Sequence, residues 1–333
     1  MQLVYSISHL ISHAAGRLSP FDETLRDLWV QAHDSGIFRY RLPPLKKYVV
    51  QDHPIRPVIL VVPERYELRR APWAASTLND SPSGFHFSNV KPEEILLHLT
   101  SDPYLEPSVL LVNVSPFTFL HCLFVPQPSR LFNQRLRKTA IRSAVECFLL
   151  SDDLHLCMGF NSLLAHASVN HLHFHIWQSP EPLFAMTGSV QPKLNISDYQ
   201  ELVDHPVPNF VAQLNNLSDL DEFINILWRL VDACHSEDIA HNLVMVRAVR
   251  TDATLRAVLW PRRSVYEVKA VGSDSNASTL SVAVAELSGM FVVKTDEMAQ
   301  RMVPAEISAV LQAERVTDDV LQRLTNRLLS VTS

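Results

Sequence analysis

The chain has 333 residues, of which 47% are hydrophobic and 19% charged, and its formal net charge at pH 7 is −6. This length and apolar content indicate a globular protein with one large core or two smaller ones, and exclude a disordered chain. The acidic balance argues against general nucleic-acid binding, which needs a basic face, although a local arginine cluster can still hold a nucleotide diphosphate.

No run of apolar residues in the sequence has the length of a membrane span. The N-terminal stretch MQLVYSISHLISH has no basic start and no clear cleavage site, so we expect no signal peptide. The four cysteines, Cys122, Cys147, Cys157 and Cys234, show no paired spacing and lie in apolar surroundings. We therefore expect buried, reduced thiols, a cytoplasmic location and no metal.

The first predicted elements of the chain rest on helix-capping residues and on the alternation of apolar residues. Ser19 and Pro20 predict the start of a helix over Asp22–His33, which Gly36 ends. Alternating residues predict a strand over Phe38–Leu42, and the apolar run Pro57–Pro63 predicts a short buried strand.

An arginine cluster follows this strand, formed by Arg65, Arg69 and Arg70. A guanidinium offers a planar fork of donors that suits phosphoryl oxygens, so these residues are candidates for binding phosphate or substrate. The alternative is that the arginines are exposed to solvent and bind no ligand. The Pro- and Ser-rich stretch Ala71–Gly84 predicts a mobile loop.

The middle of the chain predicts an antiparallel sheet with a helix on one face. Its strands are Val109–Val114, Leu120–Val125, Leu154–Phe160 and Val169–Trp177, and the helix is Asn133–Leu150 with Asn133 as its cap.

The second part of the chain repeats this order in outline. A Pro-rich linker is predicted between the halves. A helix up to about Cys234 follows, then strands Asn242–Val249 and Leu255–Trp260, and a helix that Gly289 ends. The interpretation is an α+β fold of two related halves, 1–180 and 209–333, joined by the linker 181–208.

Three histidines at alternate positions, His171, His173 and His175, form the most distinctive motif. On a strand, alternate side chains share one face, so Leu172 and Phe174 would face the core. Three interpretations compete: a strand that is merely rich in histidine, a zinc site, or nucleophilic catalysis at phosphorus.

The residues upstream favour the third interpretation through a resemblance. His171–Trp177 together with Leu111–Pro126 resembles the histidine-triad superfamily of nucleotide hydrolases and transferases, and Asn133–Leu150 and Cys157–Asn161 match the elements between. A narrower resemblance is to the GDP-D-glucose phosphorylases and the plant GDP-L-galactose phosphorylases. It is carried by GFNSL and ASVNHLHFH, and by pieces such as FHFSNVKPEE, AHNLVMVR and AELSG.

The resemblance implies roles for particular residues. It makes His173 the nucleophile and lets His171 and His175 donate to the phosphoryl or leaving oxygens. It places Asn113 at the ribose, Asn161 and Ser168 at the nucleotide phosphates, and His121 near the pocket. From the residues alone, Asn113 is equally a turn cap before Ser115, and His121 is a structural histidine.

Two departures from the resembled families are visible. Ala167 stands where small triad hydrolases have Gln, so that contact is expected to be absent. The strand Pro57–Pro63 has apolar residues, with Val62 in place of Asn, where the phosphorylases have Gln and Asn.

The second half lacks the triad, so it is expected to complete the core and the pocket. The implied reaction takes GDP-glucose and inorganic phosphate to GDP and glucose 1-phosphate through a guanylyl-histidine, with no cofactor and no metal. The alternatives are a triad nucleotide hydrolase and a non-catalytic nucleotide-binding protein.

Overall fold

The computed structural model describes residues 1–11, 15–68, 77–78, 85–101, 106–194, 196–249, 254–266 and 280–331. Arg69 and Arg70 lie outside the described residues, as does the predicted loop Ala71–Gly84 apart from residues 77–78.

The described residues form fourteen strands and nine α-helices. The strands are β1 Gln2–Val4, β2 Lys46–Val49, β3 Val58–Val61, β4 Ile95–Thr100, β5 Ser108–Val112, β6 Cys122–Val125, β7 Leu156–Asn161, β8 Phe174–Gln178, β9 Val190–Pro192, β10 Gln200–Leu202, β11 Phe210–Leu214, β12 Ala240–Val246, β13 Leu255–Arg262 and β14 Met290–Val293. The helices are α1 Pro20–Asp34, α2 Pro63–Leu68, α3 Lys138–Leu149, α4 Phe184–Thr187, α5 Leu220–Ser236, α6 Val284–Ser288, α7 Asp296–Arg301, α8 Pro304–Gln312 and α9 Asp318–Val331.

Within this part of the chain, eleven strands form one sheet in the order β1-β4-β5-β6-β8-β7-β12-β13-β11-β10-β9. Its pairings are antiparallel except for β1 with β4. Because β7 pairs with β12, the sheet continues without a break from the first half into the second. A smaller sheet, β14-β3-β2, lies apart from it.

Alternation along the strands divides the large sheet into two faces. Phe174 and Ile176 of β8 point into a core formed with α1, α3, α5 and α9. Trp177 points the other way, into a second core formed with the small sheet and the short helices α4, α6, α7 and α8. The predicted α+β class with an antiparallel sheet and packed helices is confirmed.

Helix α1 begins as predicted because Ser19 accepts a hydrogen bond from the backbone of Asp22 in its first turn. One predicted strand and one predicted helix start in the first half are wrong. Phe38–Leu42 is not a strand. The helix predicted from Asn133 begins only at Lys138, because the preceding residues bond to the segment that leads into β8.

The segment predicted as the linker, 181–208, contains regular secondary structure. This segment carries α4, β9 and β10 and adds two strands to the edge of the large sheet. Ala185 and Met186 of α4 are fully buried. The guanidinium of Arg256 in β13 donates to the carbonyls of Ala185 and Gly188, which fastens α4 to the sheet.

Candidate active site

A cavity of about 200 Å³ lies on the face of the large sheet opposite α3. Six of the residues predicted from the sequence line it: Arg65, Asn113, Asn161, Ser168, His173 and His175. The remaining wall comes from strands β5, β6 and β8, helix α6, and several connecting segments, among them residues 85–94, 114–117 and 280–283. The cavity therefore draws on both halves of the chain.

The histidines reach this cavity through the predicted alternation. Leu172, Phe174 and Ile176 are fully buried in the core beneath α3, whereas His173 and His175 line the cavity on the opposite side. The strand itself is shorter than predicted, since β8 begins at Phe174 rather than at Val169. His173 therefore lies just before the ladder starts.

The tautomer of His173 is fixed by its own backbone. Its Nδ1 lies 2.7 Å from the carbonyl oxygen of His171, an acceptor, so Nδ1 carries the proton. Burial lowers the pKa of His173 to about 4. The ring is consequently neutral near pH 7 and keeps an unprotonated Nε2, which is the form that a nucleophile at phosphorus requires.

A buried glutamine, Gln134, supports His173 and had no signal in the sequence. Its Oε1 accepts from the backbone N–H of His173 (2.9 Å), and its Nε2 donates to the carbonyls of His173 (3.0 Å) and Asn161 (2.9 Å). Strands β7 and β8 pair only as far as Gly159 and His175. Beyond that point the Gln134 amide joins the two segments in place of a ladder.

His175 is coupled to a second buried histidine, His121. The backbone N–H of Phe117 donates to Nδ1 of His121 (3.2 Å), which assigns the proton of the neutral ring to Nε2. That nitrogen lies 3.1 Å from Nδ1 of His175. Burial first, and the charges of Arg65 and His175 second, hold the pKa of His121 well below its usual value.

This pairing defines what each of the two rings can do. Because His121 donates to Nδ1 of His175, Nε2 of His175 is the protonated nitrogen of a ring that lines the cavity. His121 does not itself line the cavity and is fully buried. It therefore lies behind His175, and a role for His121 at the nucleotide stays a prediction from the sequence.

Asn113 caps a turn and also belongs to the wall of the cavity. Its Oδ1 accepts from the backbone N–H of Ser115 (3.0 Å), which is the predicted turn cap. The residue also lines the cavity, and its Nδ2 lies 3.0 Å from Nε2 of His121. Because the proton on that nitrogen is directed to His175, this is a contact between two donors and not a hydrogen bond. Asn113 is thus held by the turn beside the histidine pair.

His171 differs from the other two members of the triad because it does not line the cavity. Its Nδ1 accepts from the backbone N–H of Phe87 (2.9 Å). The Phe87 ring lies 5.6 Å from the ring of His171 and 5.0 Å from that of His173, between centroids. His171 thereby holds Phe87 against His173. Its Nε2 is buried without a hydrogen-bond partner among the described residues, and its donation to the substrate stays a prediction.

Asn161 and Ser168 lie at the two ends of a tight loop that follows β7. Leu164 and His166 within it have positive φ angles of 59° and 68°. Such angles are unfavourable for side chains of this size and are found where the surroundings impose them, often at functional sites. The loop returns the chain so that Ser168 lines the same cavity as Asn161.

Gly159 precedes this loop at a place where no side chain fits. A Cβ atom there would lie 2.7 Å from Cγ1 of Val284 and 2.9 Å from Cζ3 of Trp177. Both of those residues line the cavity. The glycine therefore lets α6 approach β8 closely enough to form the wall.

Arg65 is the described member of the arginine cluster, and it lines the cavity from α2. Its Nη1 donates to the carbonyl of Ser115, and its guanidinium lies over the Phe117 ring, 5.1 Å from the centroid. These contacts direct a positive charge to the cavity beside the histidine pair.

The apolar strand before Arg65 lies outside the described wall of the cavity. It is β3, the central strand of the small sheet, and Val58, Ile59, Leu60 and Val62 are fully buried there. Apolar residues are the ones that such a position requires.

In the described ranges, no group of three or more His, Cys, Asp and Glu side chains is arranged to hold a metal ion. None of the helices described has the length and apolar character needed to cross a membrane.

Comparison with known proteins identifies the family. The family model described as GDPGP1-like, N-terminal domain, matches residues 20–177, and that described as GDPGP1-like, C-terminal domain, matches residues 188–333. The chain is 32% identical to GDP-D-glucose phosphorylase 1 of Homo sapiens, over 88% of this chain and 79% of that protein. It is 31% identical to the protein of that name from Danio rerio, over 93% and 91%.

More distant similarities extend the comparison. GDP-L-galactose phosphorylase 1 of Arabidopsis thaliana is 26% identical over 65% of this chain and 51% of that protein. The structure of yeast Ap4A phosphorylase Apa2 bound to Ap4A superposes with a TM-score of 0.63 at 16% identity, covering 90% of this chain and 99% of that one, which shows a shared fold. With two family models that together span residues 20–177 and 188–333, the chain belongs to the GDPGP1-like family.

Proposed function

We propose that this protein is a GDP-D-glucose phosphorylase, which converts GDP-glucose and inorganic phosphate to GDP and glucose 1-phosphate. The observation that carries the proposal is the state of His173. Its Nδ1 proton is held by a backbone carbonyl, its ring is neutral, and its unprotonated Nε2 belongs to a ring that lines the cavity. The names of relatives about 30% identical over most of the chain support the choice of substrate.

The first half-reaction forms a covalent intermediate. The Nε2 lone pair of His173 attacks the α-phosphorus, and the bond from that phosphorus to the bridging oxygen breaks. Glucose 1-phosphate leaves with the bridging oxygen, and a guanylyl group stays on His173. A neutral imidazole is suited to this attack because the phosphoryl oxygens repel an anionic nucleophile.

In the second half-reaction, inorganic phosphate accepts the guanylyl group from His173. An oxygen of inorganic phosphate attacks the guanylyl phosphorus, the N–P bond breaks, and GDP leaves. The Nε2–H of His175 is placed to donate a hydrogen bond to the phosphoryl oxygens in both steps, and Arg65 supplies positive charge near them. No proton has to leave His173, because it enters and leaves the cycle neutral.

The surrounding residues fit the remaining parts of the substrate. Asn113, Asn161 and Ser168 all line the cavity, and in this proposal Asn113 contacts the ribose while Asn161 and Ser168 contact the phosphates, as the resemblance implies. Arg69 and Arg70 remain candidates from the sequence. A cytoplasmic location is part of the proposal, supported by the four buried cysteines, none of which forms a disulfide. The two halves at 1–180 and 209–333 also remain a proposal.

The test is an assay of products from a panel of nucleoside diphosphate sugars, with and without phosphate. We expect GDP-glucose to give GDP and glucose 1-phosphate, and only when phosphate is present. Without phosphate, mass spectrometry should find a GMP adduct on His173, and His173→Ala should lose both the adduct and turnover. GMP as the main product in millimolar phosphate would instead indicate a hydrolase, and binding without turnover would indicate a nucleotide-binding protein.

A further inference from the structure

A chain of buried polar side chains leads from the second half of the protein to the cavity. Arg262 of β13 is 1% exposed, its Nη2 pairs with the carboxylate of Glu314, and its Nη1 donates to Oδ1 of Asn242 (3.0 Å). The same Nη1 donates to the carbonyl of Val282, just before α6. A buried arginine is costly unless its donors are paired, so the acceptors of Nη1 and Nη2 are strongly constrained, although the buried Nε of Arg262 has no partner in the described part of the chain.

The amide of Asn242 has only one orientation that satisfies its neighbours. Its Oδ1 faces the guanidinium, which can only donate. Its Nδ2 donates to Oδ1 of Asn161 (2.6 Å) and to the carbonyl of Ala165 (3.0 Å). Turning the amide over would place its NH₂ group against Arg262 and its oxygen against two acceptors.

The orientation of the Asn242 amide determines that of the Asn161 amide. Asn161 lies directly opposite Asn242 in the pairing of β7 with β12. Oδ1 of Asn161 accepts from Asn242 and also from the backbone N–H of Val284 (3.0 Å). Both acceptor positions of that oxygen are thus occupied. The amide presents Nδ2, a donor, to the cavity that Asn161 lines.

We propose that Asn242, held by Arg262, is a positioning residue that orients the Asn161 amide as a donor to the phosphoryl oxygens of the substrate. This inference rests on the proposed function, in which Asn161 contacts the nucleotide phosphates. A reversed Asn161 amide would place a carbonyl oxygen against those phosphoryl oxygens and repel them. The second half, which lacks the triad, thereby contributes to catalysis through one hydrogen bond.

The test is Asn242→Asp, which keeps the shape and the bond to Arg262 but replaces the Nδ2 donor by an acceptor. We expect kcat/KM for GDP-glucose to fall about tenfold or more, the range for one charge-assisted hydrogen bond. The decisive measurement is a double-mutant cycle with Asn161→Ala. If Asn242 acts through Asn161, its replacement should have almost no further effect in the Asn161→Ala background.

Equal losses from Asn242→Asp in both backgrounds would overturn the inference. If Asn242→Asp does not fold, Asn242→Ala replaces it in the same double-mutant cycle, because it removes the donor without adding charge. Asn209→Asp is the matched control: Asn209 is a buried amide whose Nδ2 donates to Val207 (3.1 Å) and whose Oδ1 accepts from Leu202 (2.8 Å), and it does not line the cavity. It should lower the thermal midpoint and leave kcat/KM within about twofold.

Failure of the proposed function is recognised separately. If the wild-type protein binds GDP but does not turn over GDP-glucose, the phosphorylase assignment is wrong, and the cycle is measured as GDP affinity by calorimetry. Coupling between Asn242 and Asn161 in that affinity supports the inference, and additive effects overturn it. Absence of both turnover and GDP binding in the wild type overturns the function and the inference together.

Discussion

The side-chain amide of Gln134 bonds to both the N–H and the C=O of His173 and takes the place of a neighbouring strand (2.9 and 3.0 Å). The backbone of His173 is therefore held in position by a residue 39 positions earlier in the chain. A side-chain amide carries the same donor and acceptor as a peptide group, so it can continue a ladder where the strand has ended.

Replacing Gln134 by Met keeps most of its volume and removes all three hydrogen bonds. Each buried group left without a partner costs about 1–3 kcal/mol, so we expect a lower free energy of unfolding in urea titrations. We also expect kcat to fall at least tenfold, because the ring of His173 moves with its backbone. Gln213→Met, at an amide that bonds Gln200 near the sheet edge, is the control. Loss of stability with unchanged kcat would show that Gln134 is only structural.

His171→Leu should affect the enzyme differently from His173→Ala. It removes the acceptor for the N–H of Phe87, which lines the cavity, although His171 itself does not line it. We expect the Phe87 amide to exchange hydrogen about ten- to a hundredfold faster, as a lost buried hydrogen bond implies. Exchange at Ile176 in β8 should stay unchanged. Turnover should persist at a reduced rate, and its complete loss would restore a direct role for His171.

Arg65→Ala should lower kcat/KM by about tenfold or more, since it removes a guanidinium that lines the cavity. Arg65→Lys keeps the charge but not the planar fork, and it should recover part of the loss. Arg142, whose exposed side chain pairs with Asp221, is a suitable control for replacement by Ala. Equal kinetics for all three variants and the wild type would remove Arg65 from the site.

Stability should fall in acid because of the buried histidines. The pKa of His173 is about 4 in the folded protein and near 6.5 when unfolded, so the unfolded chain binds more protons between those values. Stability from this group is complete above about pH 6.5 and is lost as the pH falls toward 4, by roughly 3 kcal/mol. Thermal midpoints measured from pH 7 to 4 should decline less steeply in His173→Gln. An equally steep decline in that variant would contradict the assigned shift.

The strand face that carries the histidines could be predicted because it depends only on neighbouring residues in the sequence. Leu172 and Phe174 alternate with the histidines, and a period of two fixes which side chains share a face. The start of β8 could not be predicted, since the end of its ladder depends on Gln134. The relation between Asn242 and Asn161 depends likewise on the pairing of β7 with β12, which the sequence does not state.

Phe38–Leu42 shows how a correct pattern can give a wrong element. Phe38 and Tyr40 are buried as their alternation suggests, but the segment has no strand ladder. It is held by single contacts instead: the N–H of Arg39 donates to Val114 (2.8 Å), and the hydroxyl of Tyr40 donates to the carbonyl of Pro116. Alternating apolar residues indicate which side chains are buried, whereas a strand also needs a neighbouring strand to pair with.

The small sheet has a consequence for how the protein is made. β3 lies between β2 and β14, and it pairs in parallel with residues 290–293, more than two hundred positions later in the chain. A nascent chain therefore keeps one edge of a fully apolar strand exposed until residues 290–293 have left the ribosome, and such edges promote aggregation. Loss of the final fifty residues should thus cost solubility during synthesis, although every residue of the histidine triad would still be present.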